Sequence, residues 1–239
     1  MSAAGALLGI AADIKIDYVL FGLGAAWALR RSLPALALAG AAALAVLLPS
    51  YAYFGTPAIR ALASRRNQSS ADNFYRVFLP HGWHHDLGML ATVLVVAVAI
   101  LALRRLPPGA AARPAIRPTV ALCAAWLFLW PYQLPWYDAM LICVLVLYPA
   151  SRLDWLVLAR LTAGTISNMP GNPYLEHSHL LRVADHFAVR IAAPLVMLAA
   201  AIALVALCVT GRWKVRDSPG PERTVTGGPG LAPAAGPPG

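Results

Sequence analysis

Apolar stretches close to the roughly 20 residues that cross a bilayer as a helix recur along the chain, each closed by arginines, prolines or a polar loop. Tracing outward from those breaks predicts helices over 4–29, 33–54, 87–103, 118–132, 137–151, 153–168 and 187–210. The fold class is all-α, a polytopic transmembrane helix bundle of about seven spans over residues 1–216 with an outer loop near 55–86. The stretch 153–168 is short and carries Arg160 in its middle, yet a crossing there lets Arg152 and Arg212 face the same side. After Arg216 the tail "DSPGPERTVTGGPGLAPAAGPPG" (217–239) is about half Pro and Gly without a period, so it offers nothing to bury and is expected to stay disordered.

Basic residues cluster at the ends of these stretches. Arg30 and Arg31 follow the first, Arg104, Arg105, Arg113 and Arg117 fill the loop after the third, and Arg212, Lys214 and Arg216 follow the last. Short loops rich in Arg and Lys stay on the cytoplasmic side, which predicts a cytoplasmic tail and an external amino terminus. Composition points the same way. With 59% hydrophobic and 12% charged residues and a mean hydropathy of +0.65, polar surface is too scarce to cover a water-soluble globule of 25.3 kDa. The chain reads as a multi-pass protein of the cell membrane, with the lipid bilayer as its first partner. The formal charge of +9 sits at span ends and so reports topology, which argues against a nucleic-acid partner. The opening lacks the basic start and uninterrupted apolar run of a cleaved signal peptide. Cys123, Cys143 and Cys208 are odd in number and set in apolar segments, the pattern of small buried residues rather than of disulfides or a thiolate metal site.

Against this background the stretch "ADIKIDYVLFGLG" (11–23) stands out, because Asp13, Lys15 and Asp17 interrupt an apolar span. Lys15 lies fifteen residues before Arg30, roughly 22 Å along a helix, which places it in the outer third of a hydrocarbon layer about 30 Å thick. On one continuous helix Asp13 and Asp17 share a face and Lys15 projects from the other, so the triplet cannot neutralise itself. Two readings follow. In a water-filled cavity open to the outside, Lys15 would meet an anionic ligand while the aspartates meet cations or sugar hydroxyls; in an interfacial turn beginning at Asp13, the charges simply reach water.

The predicted topology gathers His81, His84, His85, His177, His179 and His186 on or near the outer side. In "HGWHHD" (81–86) Pro80 and Gly82 delay the helix start, so His81 and His85 do not present a metal-binding face, and "EHSHLLRVADH" (176–186) is read in the same way. No metal or other cofactor is expected. Asn67 and Gln68 in the outer loop carry the donors and acceptors that sugar hydroxyls require, and Arg76 could take a phosphate. Trp130, Tyr132, Trp136 and Tyr137 form either a stacking platform or an interfacial aromatic belt. Pro131 and Pro135 favour a tight turn there, which leaves Asp138 at the mouth of the next helix.

The stretch "LLGIAADIKIDYVLFGLGAAWALRR" resembles the lysine-bearing, small-residue-rich helix of polytopic GT-C-type glycosyltransferases, especially actinobacterial polyprenol-phosphate-mannose-dependent mannosyltransferases. "RRNQSSADNFYRVF" (65–78) is similar to their outer loop, and "PYQLPWYDAMLICVLVLYP" to their proline-aromatic turn between late helices. The resemblance covers roughly residues 5–165. It implies transfer of a sugar, mannose in the mannosyltransferases it resembles, from a polyprenyl-phosphate donor to a cell-envelope glycan or lipid acceptor by inverting displacement. The residues placed at the substrate are then Lys15, Asp13, Asp17, Asn67, Gln68, Arg76, Trp136, Tyr137 and Asp138. The family's catalytic aspartate lies in the first outer loop after the first membrane helix, and nothing here matches it. The chain is therefore expected to correspond to the carboxy-terminal half of such an enzyme, active either alone or only with an amino-terminal half. The alternative is a non-catalytic or transporter-like membrane protein in which the triplet is an ion or proton site.

Overall fold

The computed structural model describes residues 2–64, 70, 73–78, 86–107, 114–132, 134–167 and 179–213. Among them there is no strand, and the chain forms α1 (Ser2–Ile14), α2 (Val19–Leu29), α3 (Leu33–Ser64), α4 (Phe74–Phe78), α5 (Leu87–Arg105), α6 (Ile116–Leu129), α7 (Asp138–Leu145), α8 (Arg152–Ser167), α9 (His179–Phe187) and α10 (Ala193–Thr210). Three stretches are long and apolar enough to cross a membrane: Leu33–Pro57, Leu87–Arg105 and Arg182–Thr210. The other predicted spans are shorter helices, with 4–29 divided into α1 and α2, and 118–132, 137–151 and 153–168 contracted to α6, α7 and α8. The tail 217–239 lies outside the described residues, as do Asn67, Gln68, His81, His84, His85 and His177.

The core belongs to α5, α6, α7, α8 and α10. α6 is the hub; most of its residues from Pro118 to Leu129 are buried, and the small side chains of Ala121, Cys123, Ala124 and Ala125 allow neighbours on several sides. On α8 the buried residues Leu153, Val157, Arg160, Ala163, Gly164 and Ser167 fall at helical spacing on one face, with Arg160 in the middle of that face.

Contacts at the helix ends fix the directions. At one end Arg117 Nη2 donates to Leu103 O (2.6 Å), Tyr148 Oη donates to Pro107 O (2.6 Å) and Arg152 N donates to Trp213 O (2.9 Å). At the other end Ser70 N donates to Pro131 O (3.0 Å), Asn73 Nδ2 donates to Trp130 O (3.3 Å), and Gly164 lies beside Pro135. The five core helices therefore alternate in direction. Arg104, Arg105, Arg117, Arg152 and Arg212 gather at one end, the segregation that the spacing of basic residues predicts. α9 continues into α10 through a π turn, Ala188–Ala192. Pro194, just after it, has no N–H to give to the preceding turn, and the helix widens where that bond is missing.

The largest departure from the sequence-based expectation is at the start of the chain. Gly5 of α1 packs on Ala39 of α3, and Gly9 packs on Ala43, so the two helices run side by side in the same direction. A Cβ on Gly9 would lie 2.7 Å from Ala43 O, so only glycine permits this approach. α1 ends five residues beyond Gly9 and α3 begins ten residues before Ala43, so the chain between them must return about 22 Å along the axis. α2 makes that return, docking Gly24 on Thr119 of α6. Residues 4–29 thus form a helical hairpin, not one span. Ser2 consequently lies toward the Arg30–Arg31 end, opposite to the external amino terminus that a single span predicts. Lys15, at the tip of the hairpin, still stands a helix length from Arg30.

α3 breaks at Gly55, whose φ of 65° and ψ of −158° glycine adopts readily, and helical turns resume to Ser64. The predicted helix end at 54 coincides with this break. Cys123 and Cys208 are buried as expected, whereas Cys143 is exposed on the outer surface of α7, among apolar neighbours such as Ile142, Val146 and Leu147 that also face outward.

Candidate functional site

Lys15 is the residue at which α1 stops. Its φ of −154° and ψ of 116° are extended, and a 3₁₀ turn, Ile16–Tyr18, leads into α2. Leaving the helix changes where the side chain goes, and its ammonium rests over the ring of Tyr137, 3.5 Å from the centroid, with the Tyr18 ring at 5.9 Å. Asp17 lies within electrostatic reach of it. The expected arrangement, with both aspartates on one face and Lys15 on the other, does not hold because the backbone is not helical at Lys15. Asp13 is exposed at the end of α1.

Tyr137 is firmly placed. It closes the 3₁₀ turn Pro135–Tyr137, with its N–H donated to Leu134 O (2.9 Å) and Pro135 presetting the first φ. Its ring is buried and meets Trp126 edge-on, at 5.5 Å between centroids and 83° between planes. Trp136, 61% exposed, lies 6.5 Å from it.

The next residue, Asp138, opens α7 and is fully buried. It pairs with Arg160 Nη1 of α8, itself only 2% exposed, while Arg160 Nε donates to Leu127 O (3.0 Å). The sequence explains why Leu127 takes this bond. The residue four further on is Pro131, which has no N–H, so the Leu127 carbonyl has no partner within its own helix. Two carbonyls past the end of α6 are capped by Asn73 and Ser70, where Asn73 Nδ2 donates to Trp130 O and Ser70 N donates to Pro131 O. Asn73 Oδ1 in turn accepts Tyr75 N–H at 2.9 Å. Burial pushes the Tyr75 phenol up to about 12.

A crevice beside the ion pair is lined by Asn73, Phe74, Phe128, Trp130, Arg160 and Met197 among others. Its room for a guest is ≈ 10 Å³, enough for about one water and far too little for a sugar. Among the described residues no group of His, Cys, Asp and Glu is placed to hold a metal ion. His179 and His186 are exposed on α9.

Comparison with protein-family models, with curated proteins and with solved structures gives no match.

The structure brings Lys15, Tyr137 and Asp138 to one end of the bundle, with Trp136 beside them. Asn67 and Gln68 lie outside the described residues; Arg76 is on α4, but its side chain also lies outside what is described. Sequence reasoning missed Arg160, Asn73 and Trp126 as parts of this region. Arg160 had a signal of its own, since an arginine in the middle of an apolar helix needs a partner. Asn73 had none, because its role depends on carbonyls freed by Pro131. The resulting chemistry is divided. Asp138 is committed to Arg160, whereas Lys15 is a half-buried ammonium among aromatic rings, suited to an anion carried by an apolar molecule.

Proposed function

We propose that this chain is a multi-pass membrane protein that binds a polyprenyl-phosphate sugar at Lys15 and serves as the donor-binding, carboxy-terminal part of a glycosyltransferase. In this reading the arginine-bearing end is cytoplasmic, with the tail, and Lys15 and Tyr137 open toward the outer leaflet. α3, α5 and α10 cross fully, α6, α7 and α8 cross as shorter helices within the bundle, and α1–α2 is a re-entrant hairpin. The sugar, mannose by resemblance, passes to a cell-envelope glycan or lipid acceptor. Asp138 is engaged with Arg160 and is not assigned the role of catalytic base.

The observation that carries this reading is a half-buried lysine at a helix break, facing aromatic side chains. An ammonium there stabilises a phosphate through a charge-assisted bond in low dielectric, and the exposed Trp136 ring suits the isoprenoid or the sugar face. The test is titration of a short-chain polyprenyl-phosphate mannose into the detergent-solubilised protein. Lys15→Met should weaken binding at least about fivefold, on the order of 1 kcal/mol for a charged hydrogen bond, and Lys15→Arg should retain part of the affinity. Unchanged affinity in a well-folded Lys15→Met protein would end the proposal.

The broken α1–α2 helix favours a second reading, since discontinuous membrane helices build substrate and ion sites in transporters. Flux of a solute through proteoliposomes without any sugar transfer, even with the amino-terminal half supplied, would favour that reading.

A further inference from the structure

Lys15 and Tyr137 meet in a way that the proposed binding role alone does not require. The ammonium lies flush on the ring face, 3.5 Å from the centroid, so the aromatic quadrupole, with the Asp17 charge nearby, is a principal partner of this charge. The two partners differ in freedom. Tyr137 is held by the 3₁₀ turn, by Pro135 and by Trp126, whereas the Lys15 ammonium rides on a flexible four-carbon stem anchored at a helix break. A phosphate offers a full charge where the ring offers a partial one, so an arriving headgroup competes with Tyr137 for the same ammonium.

We propose that Lys15 has two positions: parked on Tyr137 when the site is empty, and drawn off the ring onto an anionic phosphate when it is filled. Tyr137 is then a positioning residue that keeps the charge satisfied between occupancies and sets the threshold for binding. The inference rests on the reading that Lys15 takes a phosphate, and it adds the prediction that removing an aromatic side chain tightens the binding of an anion. If Tyr137 only glued the hairpin to the bundle, its removal would loosen the site.

The sequence makes the test direct, because the chain contains two lysines, Lys15 and Lys214. Reductive ¹³C-methylation of this chain in detergent gives two lysine side-chain signals besides the amino terminus, and Lys15→Met assigns the one that matters. In the empty protein the Lys15 methyl signal should be shielded by the Tyr137 ring current. Farnesyl phosphate should move it to an unshielded position, and farnesol should not. Inorganic phosphate serves as a further arm: an equal response assigns the ligand to free phosphate, and a response confined to farnesyl phosphate assigns it to a lipid headgroup, the gate standing in either case. Tyr137→Leu should bind farnesyl phosphate roughly threefold or more tighter, the scale of one lost cation–π contact, while Tyr137→Phe should stay within about twofold of the parent. A Lys15 signal that is unshielded from the start, or that stays shielded when ligand binds, overturns the gate, as does equal or weaker binding by a folded Tyr137→Leu protein. If Lys15→Met still weakens binding in those cases, the phosphate reading survives and only the gate is lost. Farnesyl phosphate binding that ignores Lys15→Met sinks both. Should Tyr137→Leu fail to fold, the signal of the unsubstituted protein decides alone.

Discussion

Arg160 and Asp138 are the most sharply testable pair in the bundle, because each is almost wholly removed from solvent and they sit on different helices. Arg160 also caps Leu127 O, so one guanidinium joins α6, α7 and α8. Breaking a buried ion pair by removing one partner costs about 3–5 kcal/mol, because the charge left behind has no compensation, whereas replacing both with apolar residues of similar size is often close to neutral. The two halves should not be equal. After Arg160→Met the stranded carboxyl can take up a proton, but after Asp138→Leu the stranded guanidinium cannot lose one. We therefore expect Asp138→Leu to be the more damaging single change, Arg160→Met to fall in the lower part of that range, and the double variant to regain about 2 kcal/mol or more relative to Asp138→Leu. Full recovery is not expected, since the double variant still leaves Leu127 O without its donor, a loss of about 1–3 kcal/mol. The assay is a double-mutant cycle on equilibrium unfolding in detergent micelles. Effects that simply add, with no coupling between the two sites, would refute this reasoning.

Three further outcomes follow from the same geometry. Gly9→Leu should destabilise the α1–α3 pair by about 1–3 kcal/mol through overpacking against Ala43, read as a loss of thermal stability, while Gly40→Ala, whose added methyl meets nothing within 4 Å, should be neutral or slightly stabilising. In a cysteine-free background, single cysteines at Ser2 and Ser32 should both resist an impermeant reagent added to intact cells, and one at Asp86, exposed just before α5, should react; labelling at Ser2 but not at Ser32 would restore a single span over 4–29. Tyr75 supplies a pH signature: with its pKa raised from 10.0 to about 12 by burial, the unfolded chain ionises first, so stability should fall as pH climbs from 10 through 12. Tyr75→Phe should flatten that fall, as followed by unfolding midpoints across the range.

Much of the architecture was legible in the sequence because apolar run length and flanking arginines carry it. The helices α5 and α10, the break at Gly55 and the common end shared by Arg105, Arg117, Arg152 and Arg212 all follow from those signals. The hairpin at residues 2–29 does not, since its turn at Lys15 carries neither proline nor glycine, and hydropathy alone treats 4–29 as one run. A signal for it was present in "GALLG", the Gly5–Gly9 spacing of close helix pairs, but the partner Ala39–Ala43 can be chosen only once α3 is placed. Asp138 illustrates the same limit at the site. Its position at a helix mouth was legible, yet its commitment to Arg160 depends on α7 and α8 packing face to face. Lys15 and the Tyr137 turn were singled out separately; that they touch is a tertiary fact.

The central claim, a phosphate-bearing lipid at Lys15, can be put to photocrosslinking with a polyprenyl-phosphate mannose carrying a diazirine on the isoprenoid unit next to the phosphate. Mapped by mass spectrometry, the crosslinks should concentrate on residues 15–18 and 135–137, should be displaced by unlabelled donor, and should be lost in Lys15→Met. Crosslinks spread over the outward-facing apolar surfaces of α3 and α5, undisplaced by the donor and unchanged in Lys15→Met, would contradict the account.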